Sequence, residues 1–110
     1  MEFEFAKLEI FVSESHLDQV RDALRSVDAG HIGRYDSCLS YGRVVGQWRP
    51  LDGCDPYIGT VGEVCEQPEL KVECTVRIDD LERTVAAVRE AHPYEEPVIN
   101  AVPLLAVGLG

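Results

Sequence analysis

The segment Ala91-His92-Pro93-Tyr94-Glu95-Glu96-Pro97 brings an imidazole, a phenol and two carboxylates together in sequence. Those donor types suit a borderline or hard divalent cation. A purely structural reading competes with the metal reading. A histidine at a helix C-terminus complements the macrodipole, flanking prolines fix a turn, and adjacent glutamates simply face water. Neighbours in an extended segment point to opposite faces, so Glu95 and Glu96 do not form a facing acid/base pair of the glycosidase kind.

A second candidate is the run Gly30-His31-Ile32-Gly33-Arg34-Tyr35-Asp36-Ser37-Cys38. His31 and Asp36 add an imidazole and a carboxylate, weighed evenly against a helix-end histidine bonded to nearby backbone. The glycine spacing is not that of a P-loop and no lysine follows it. Cys38 lacks an identifiable base and orienting group, so nucleophilic catalysis has little support. A third candidate, Trp48-Arg49-Pro50, places a guanidinium beside an indole, where it either stacks on the ring or meets an anion. With Arg34 and Arg43 nearby in sequence, a small anionic effector becomes a candidate ligand, against packing or a subunit contact made by Trp48. The metal candidates are therefore His31, His92, Glu95 and Glu96, and the ligand candidates Arg34, Asp36, Trp48, Arg49 and Tyr94.

Hydrophobic periodicity indicates the elements that must carry these residues. Lys7 to Val12 alternates and then turns apolar, as a strand entering a sheet does. Leu17, Val20, Leu24 and Val27 recur at helical spacing, so a helix is expected from Ser15 to about Ala29, capped by Ser15 with Asp18 and closed by a left-handed Gly30. Residues 35–41 and 44–48 read as two short strands around a Gly42-Arg43 turn, with Gly46 marking a bulge. The glycine- and proline-rich connection from Pro50 to Pro68 is long for a small domain unless it carries function. Leu70 to Ile78 alternates strictly as a half-buried strand. A second helix begins at Asp79 or Asp80 and stops at Pro93, and a last strand spans about 97–105.

This order is an α+β, ferredoxin-like βαββαβ sandwich with an elaborated middle hairpin and loop. In such a fold the two helices run antiparallel, which sets their C-terminal ends, and so His31 and His92, at opposite ends. A helix of about 14 residues is roughly 21 Å long. The two histidines then cannot share an ion within one chain, leaving separate sites or one across a subunit boundary.

The chain of 110 residues, with 10 Lys+Arg against 20 Asp+Glu and a formal charge of −10, is expected to be a single domain, 1–110. The acidic balance argues against nucleic acid and anionic membranes as partners. No stretch reaches the roughly 18 apolar residues of a spanning helix. The acidic start is unlike a signal peptide, so a cytoplasmic location is expected. Four cysteines without a C-x-x-C pair are expected as free thiols, Cys74 as a packing residue. From Ala101 to Gly110 no residue is charged, and a neighbouring subunit is the simplest cover for so apolar a tail.

His92-Pro93-Tyr94-Glu95, followed by Pro97 and an apolar strand, is similar to the terminal motif of the CutA family of small trimeric proteins. The Gly30 to Cys38 run, with Gln47-Trp48-Arg49-Pro50-Leu51-Asp52-Gly53 and Pro56-Tyr57-Ile58-Gly59, resembles the YqfO-type domain found inserted in many Nif-three-like dinuclear-metal proteins. The resemblance covers nearly the whole chain. It implies a CutA- and PII-like fold and a homo-oligomer, a trimer in which sheet edges of neighbouring subunits pair. The halves that carry the metal ligands of full-length Nif-three-like proteins are not among these residues, so no hydrolase activity is carried over. The expectation is a non-catalytic oligomeric module that binds a divalent metal ion or small anionic effector near subunit boundaries. The alternatives are a regulatory protein that docks on a protein partner through the 50–68 loop and, third, a small metal-dependent hydrolase.

Overall fold

A computed structural model describes residues 2–108. Met1, Leu109 and Gly110, the outermost residues of the acidic start and the apolar tail, lie outside them. Four strands, β1 (Phe5–Val12), β2 (Ser40–Trp48), β3 (Cys65–Arg77) and β4 (Ile99–Leu104), form one antiparallel sheet in the order β2-β3-β1-β4. Helices α1 (Leu17–Ser26) and α2 (Leu81–Ala91) follow β1 and β3, each after one 3-10 turn. This is the expected ferredoxin-like arrangement.

The core follows from the alternation. Ala6, Leu8, Ile10 and Val12 of β1 share a face with Leu70, Val72, Cys74 and Val76 of β3, and onto it pack Val20 and Leu24 of α1 and Val88 of α2. Truncating a side chain as enclosed as Leu8 or Ile10 to alanine costs about 2–5 kcal/mol. The opposite face of the sheet carries charge in its middle. Lys7 bridges Glu9 at 3.3 Å and Glu73 at 2.9 Å, and Lys71 reaches Glu9 at 3.4 Å.

Several local expectations are corrected. Helix α1 stops at Ser26, and the left-handed residue that closes it is Asp28 (φ 56) rather than Gly30. The Ala29 amide donates to the Leu24 carbonyl at 3.0 Å and the Asp28 amide to that of Arg25 at 3.1 Å, the paired bonds of a Schellman motif. Gly30 is also left-handed (φ 77), but what it meets is Cys38, whose backbone stands where a Cβ would project. At the other end of α1 the N-cap is His16, without a side-chain cap bond, and the Ser15 hydroxyl turns to the His16 ring and the Tyr57 hydroxyl instead.

The expected hairpin at Gly42-Arg43 does not form. Strand β2 runs straight through both residues, because its pairing partner is the first half of β3: Ser40 opposes Glu73 and Trp48 opposes Cys65. Residues 35–39 precede it as turn and irregular chain, and Ile32 pairs with Tyr35 in an isolated bridge. The register between β2 and β3 is unbroken through Gly46, which opposes Gln67, so no bulge forms there. A two-stranded ribbon of this kind is marginal by itself, and it is braced by the long connection between its strands.

Candidate functional site

Residues 49–64, which join β2 to β3, close on themselves as an Ω-type loop. The Gly62 amide donates to the Pro50 carbonyl at 2.8 Å and the Cys54 amide to that of Leu51 at 3.2 Å. Trp48 Nε1 donates to the Ile58 carbonyl at 3.1 Å, pinning the loop to the end of β2. From the segment after α2, Glu95 accepts the Asp55 amide at 2.7 Å. A hydroxyl contact of 3.1 Å joins Tyr57 to Ser15.

Beneath this loop lies a cavity of about 520 Å³. Its aromatic walls are Phe11 of β1, Trp48 of β2, Tyr57 of the loop and Tyr94 of the post-helix segment. The Trp48 and Tyr94 centroids are 5.9 Å apart, and those of Tyr57 and Tyr94 are 6.1 Å apart. Glu69 of β3 lines the sheet side and is only 5% exposed. A buried carboxylate is expensive without a donor, and the Tyr94 hydroxyl supplies one at 2.8 Å. Burial first, and then Glu69, hold the Tyr94 phenol well above its ordinary pKa, so it remains the donor. Arg49, Glu95 and Glu96 line the more exposed part, so one guanidinium faces three carboxylates across the site.

The structure brings Trp48, Arg49, Tyr94, Glu95 and Glu96 of the sequence candidates to this one cavity. His92 stands behind it, buried at 8% exposure. Its Nε2 lies 2.7 Å from the Phe11 carbonyl, which only accepts, and its Nδ1 takes the Tyr94 amide at 3.2 Å. Those partners select the neutral Nε2–H tautomer, and burial pushes the His92 pKa down. Both ring nitrogens are engaged, so His92 as placed serves to fix Tyr94 against the end of β1.

His31 lies elsewhere, lining a separate cavity with Phe5, at the opposite end of β1 from Phe11. Six residue steps along the strand separate those ends by about 20 Å. The His31 Nδ1 is 3.0 Å from an Asp28 carboxylate oxygen and Nε2 is 3.0 Å from the Gly33 carbonyl. Two acceptors suit the protonated ring, and Asp28 raises its pKa. Arg34 and Asp36 are exposed in the same turn region and do not line the Trp48 cavity. The expected ligand set is thereby split in two. Among the described residues no three His, Cys, Asp or Glu side chains converge as a metal site.

Sequence reasoning missed Phe11, Tyr57 and above all Glu69. A signal for Glu69 was present in Gly46, since a glycine inside a strand often marks a close approach by another group. A Cβ on Gly46 would collide with the Glu69 side chain.

Sheet order, helix placement and the long β2–β3 connection define a ferredoxin-like domain of the CutA and PII type. The periplasmic divalent cation tolerance protein CutA from Archaeoglobus fulgidus superposes with a TM-score of 0.70 at 16% identity, covering 96% of this chain and 87% of that one. A nearer likeness in sequence is the Bacillus cereus protein related to NIF3, with a TM-score of 0.82 at 30% identity over 94% of this chain and 26% of that one. The GTP cyclohydrolase 1 type 2 homolog of Halalkalibacterium halodurans is 41% identical over 102 residues, 93% of this chain and 27% of that protein. No family model matches. The chain spans about a quarter of the length of the curated relatives it matches, and the resemblance drawn from its motifs holds across nearly all of it. No helix among the described residues is long and apolar enough to cross a membrane.

Proposed function

We propose that the chain is a non-catalytic binding module whose ligand is a compact organic molecule held under the 49–64 loop, with the loop reporting occupancy to a protein partner. The observation that carries this reading is the cavity itself. Its volume of about 520 Å³ lies within the span of small-molecule sites, and its mostly apolar lining with a few placed polar groups is their usual make-up. The nine-tenths-buried Glu69 and its Tyr94 donor give such a site an orienting group.

A cytoplasmic homo-oligomer, a trimer, is part of the same proposal. Strands β2 and β4 stand at the two sheet edges, and exposed edges invite pairing with another chain. Leu105, 81% exposed, and Val107, 55% exposed, continue from β4, which supports a neighbouring subunit as their cover. The reading rests on the cavity ahead of a metal ion, because His31 lies at the other end of β1 from His92, Glu95 and Glu96.

The test is a fragment screen by NMR that follows the indole N–H of Trp48, the chain's one tryptophan. Hits that shift this resonance saturably support the reading. A screen in which no fragment moves it, or in which hits map to the His31 end, overturns it.

A further inference from the structure

We infer that the ligand of the Trp48 cavity is a small organic ammonium ion, held by the Glu69 carboxylate and the faces of Trp48, Tyr57 and Tyr94. The inference rests on the cavity reading above and adds the charge of the ligand. Three observations carry it. The Tyr94 ring stands 5.9 Å from that of Trp48 and 6.1 Å from that of Tyr57, centroid to centroid, and a group of such π faces attracts cations, most strongly once they are desolvated. Glu69 is a nearly buried acid on the cavity wall whose described hydrogen-bond donor is a neutral phenol. No cation is paired with it among the described ion pairs, although Lys7, Lys71 and Arg43 elsewhere on the sheet all have carboxylate partners. Finally, Glu95 and Glu96 at the rim outnumber Arg49, so the field at the entrance favours a cation.

Gly46 supports the same assignment. Its missing side chain makes the room in which the Glu69 carboxylate lies. An ammonium ion placed against that carboxylate forms a charge-assisted hydrogen bond at about 2.7–2.9 Å, while its carbon substituents fill the aromatic walls. The expected anionic effector is disfavoured for the same reason, since Arg49 alone would have to offset three glutamates.

The decisive comparison uses isosteres, titrated into the full chain while Trp48 fluorescence is read. Benzylammonium, benzyl alcohol and benzoate share a ring and differ chiefly in charge. The expected result is saturable binding of benzylammonium about tenfold or more tighter than benzyl alcohol, with benzoate weakest. Glu69→Gln is expected to remove the cation preference, and Glu95→Gln with Glu96→Gln to reduce it. Should Glu69→Gln fail to fold, the wild-type comparison decides by itself. Equal affinities, or a preference for the alcohol or benzoate, would overturn the ammonium assignment while leaving the cavity reading intact. Failure of all three to bind would remove the ammonium assignment, and the fragment screen would then judge the cavity separately.

Discussion

The Glu69 side chain lies across Gly46 of the neighbouring strand, in space that a Cβ there would occupy. A glycine within a strand ordinarily lowers stability, so replacing it with alanine usually gains about 0.5–1 kcal/mol. Here Gly46→Ala is expected to do the reverse. Displacing Glu69 breaks its bond to Tyr94, a loss of about 1–3 kcal/mol that outweighs the glycine gain, measured as a lower urea midpoint with an unchanged slope. A gain in stability would contradict the placement of Glu69.

Tyr94→Phe removes the hydroxyl that Glu69 accepts and leaves the ring in place. A buried acceptor that loses its donor costs about 1–3 kcal/mol. Equilibrium unfolding at neutral pH should show that loss, and no change in stability would mean that water already satisfies Glu69.

His92 ties three parts of the chain together, so His92→Ala is expected to destabilise by about 1–3 kcal/mol as the Phe11 carbonyl and Tyr94 amide lose their partner. The pH dependence follows from the lowered pKa. The neutral ring contributes stability that is present above about pH 6.5, the ordinary histidine value, and that is lost as pH falls through the depressed folded value. Unfolding measured from neutral to acidic pH should therefore fall more steeply for the wild type than for His92→Ala. Parallel curves would sink this assignment.

His31 has the opposite sign. Asp28 raises its pKa, so the contact adds stability that is fully present below about pH 6.5 and is lost as pH rises through the raised value. In a proton NMR titration the His31 ring should titrate above the ordinary value and the His92 ring below it. His31→Asn should weaken the protein on the acid side only. Coincident titrations of the two rings would refute both environments.

Much of this was legible because it rests on periodicity. The period of two in β1 and β3 and the helical spacing of Val20 with Leu24 place the buried residues on one face each, whereas Thr84, buried on α2 one turn before Val88, gives no apolar signal. Pro93 sets the end of α2 by forcing His92 into extended backbone. The hairpin at Gly42-Arg43 was misread because a glycine and a plausible turn are local signals, whereas the pairing of β2 with residues 65–73 is not. The site was half legible. Trp48, Arg49, Tyr94, Glu95 and Glu96 announced themselves by type, but Glu69 occupies an ordinary polar position of an alternating strand. Only the chain folded over it turns that position from solvated to buried. Arg34 is grouped with Trp48 by charge and sequence proximity, which the straight course of β2 does not preserve.

A crystal structure of the protein grown with saturating benzylammonium tests the ammonium assignment of the cavity most directly. The expected density places the nitrogen about 3 Å from a Glu69 oxygen, with the ring against the Trp48, Tyr57 and Tyr94 walls and the 49–64 loop closed above it. A cavity holding only water, with the ligand absent or bound at the His31 end, would contradict it.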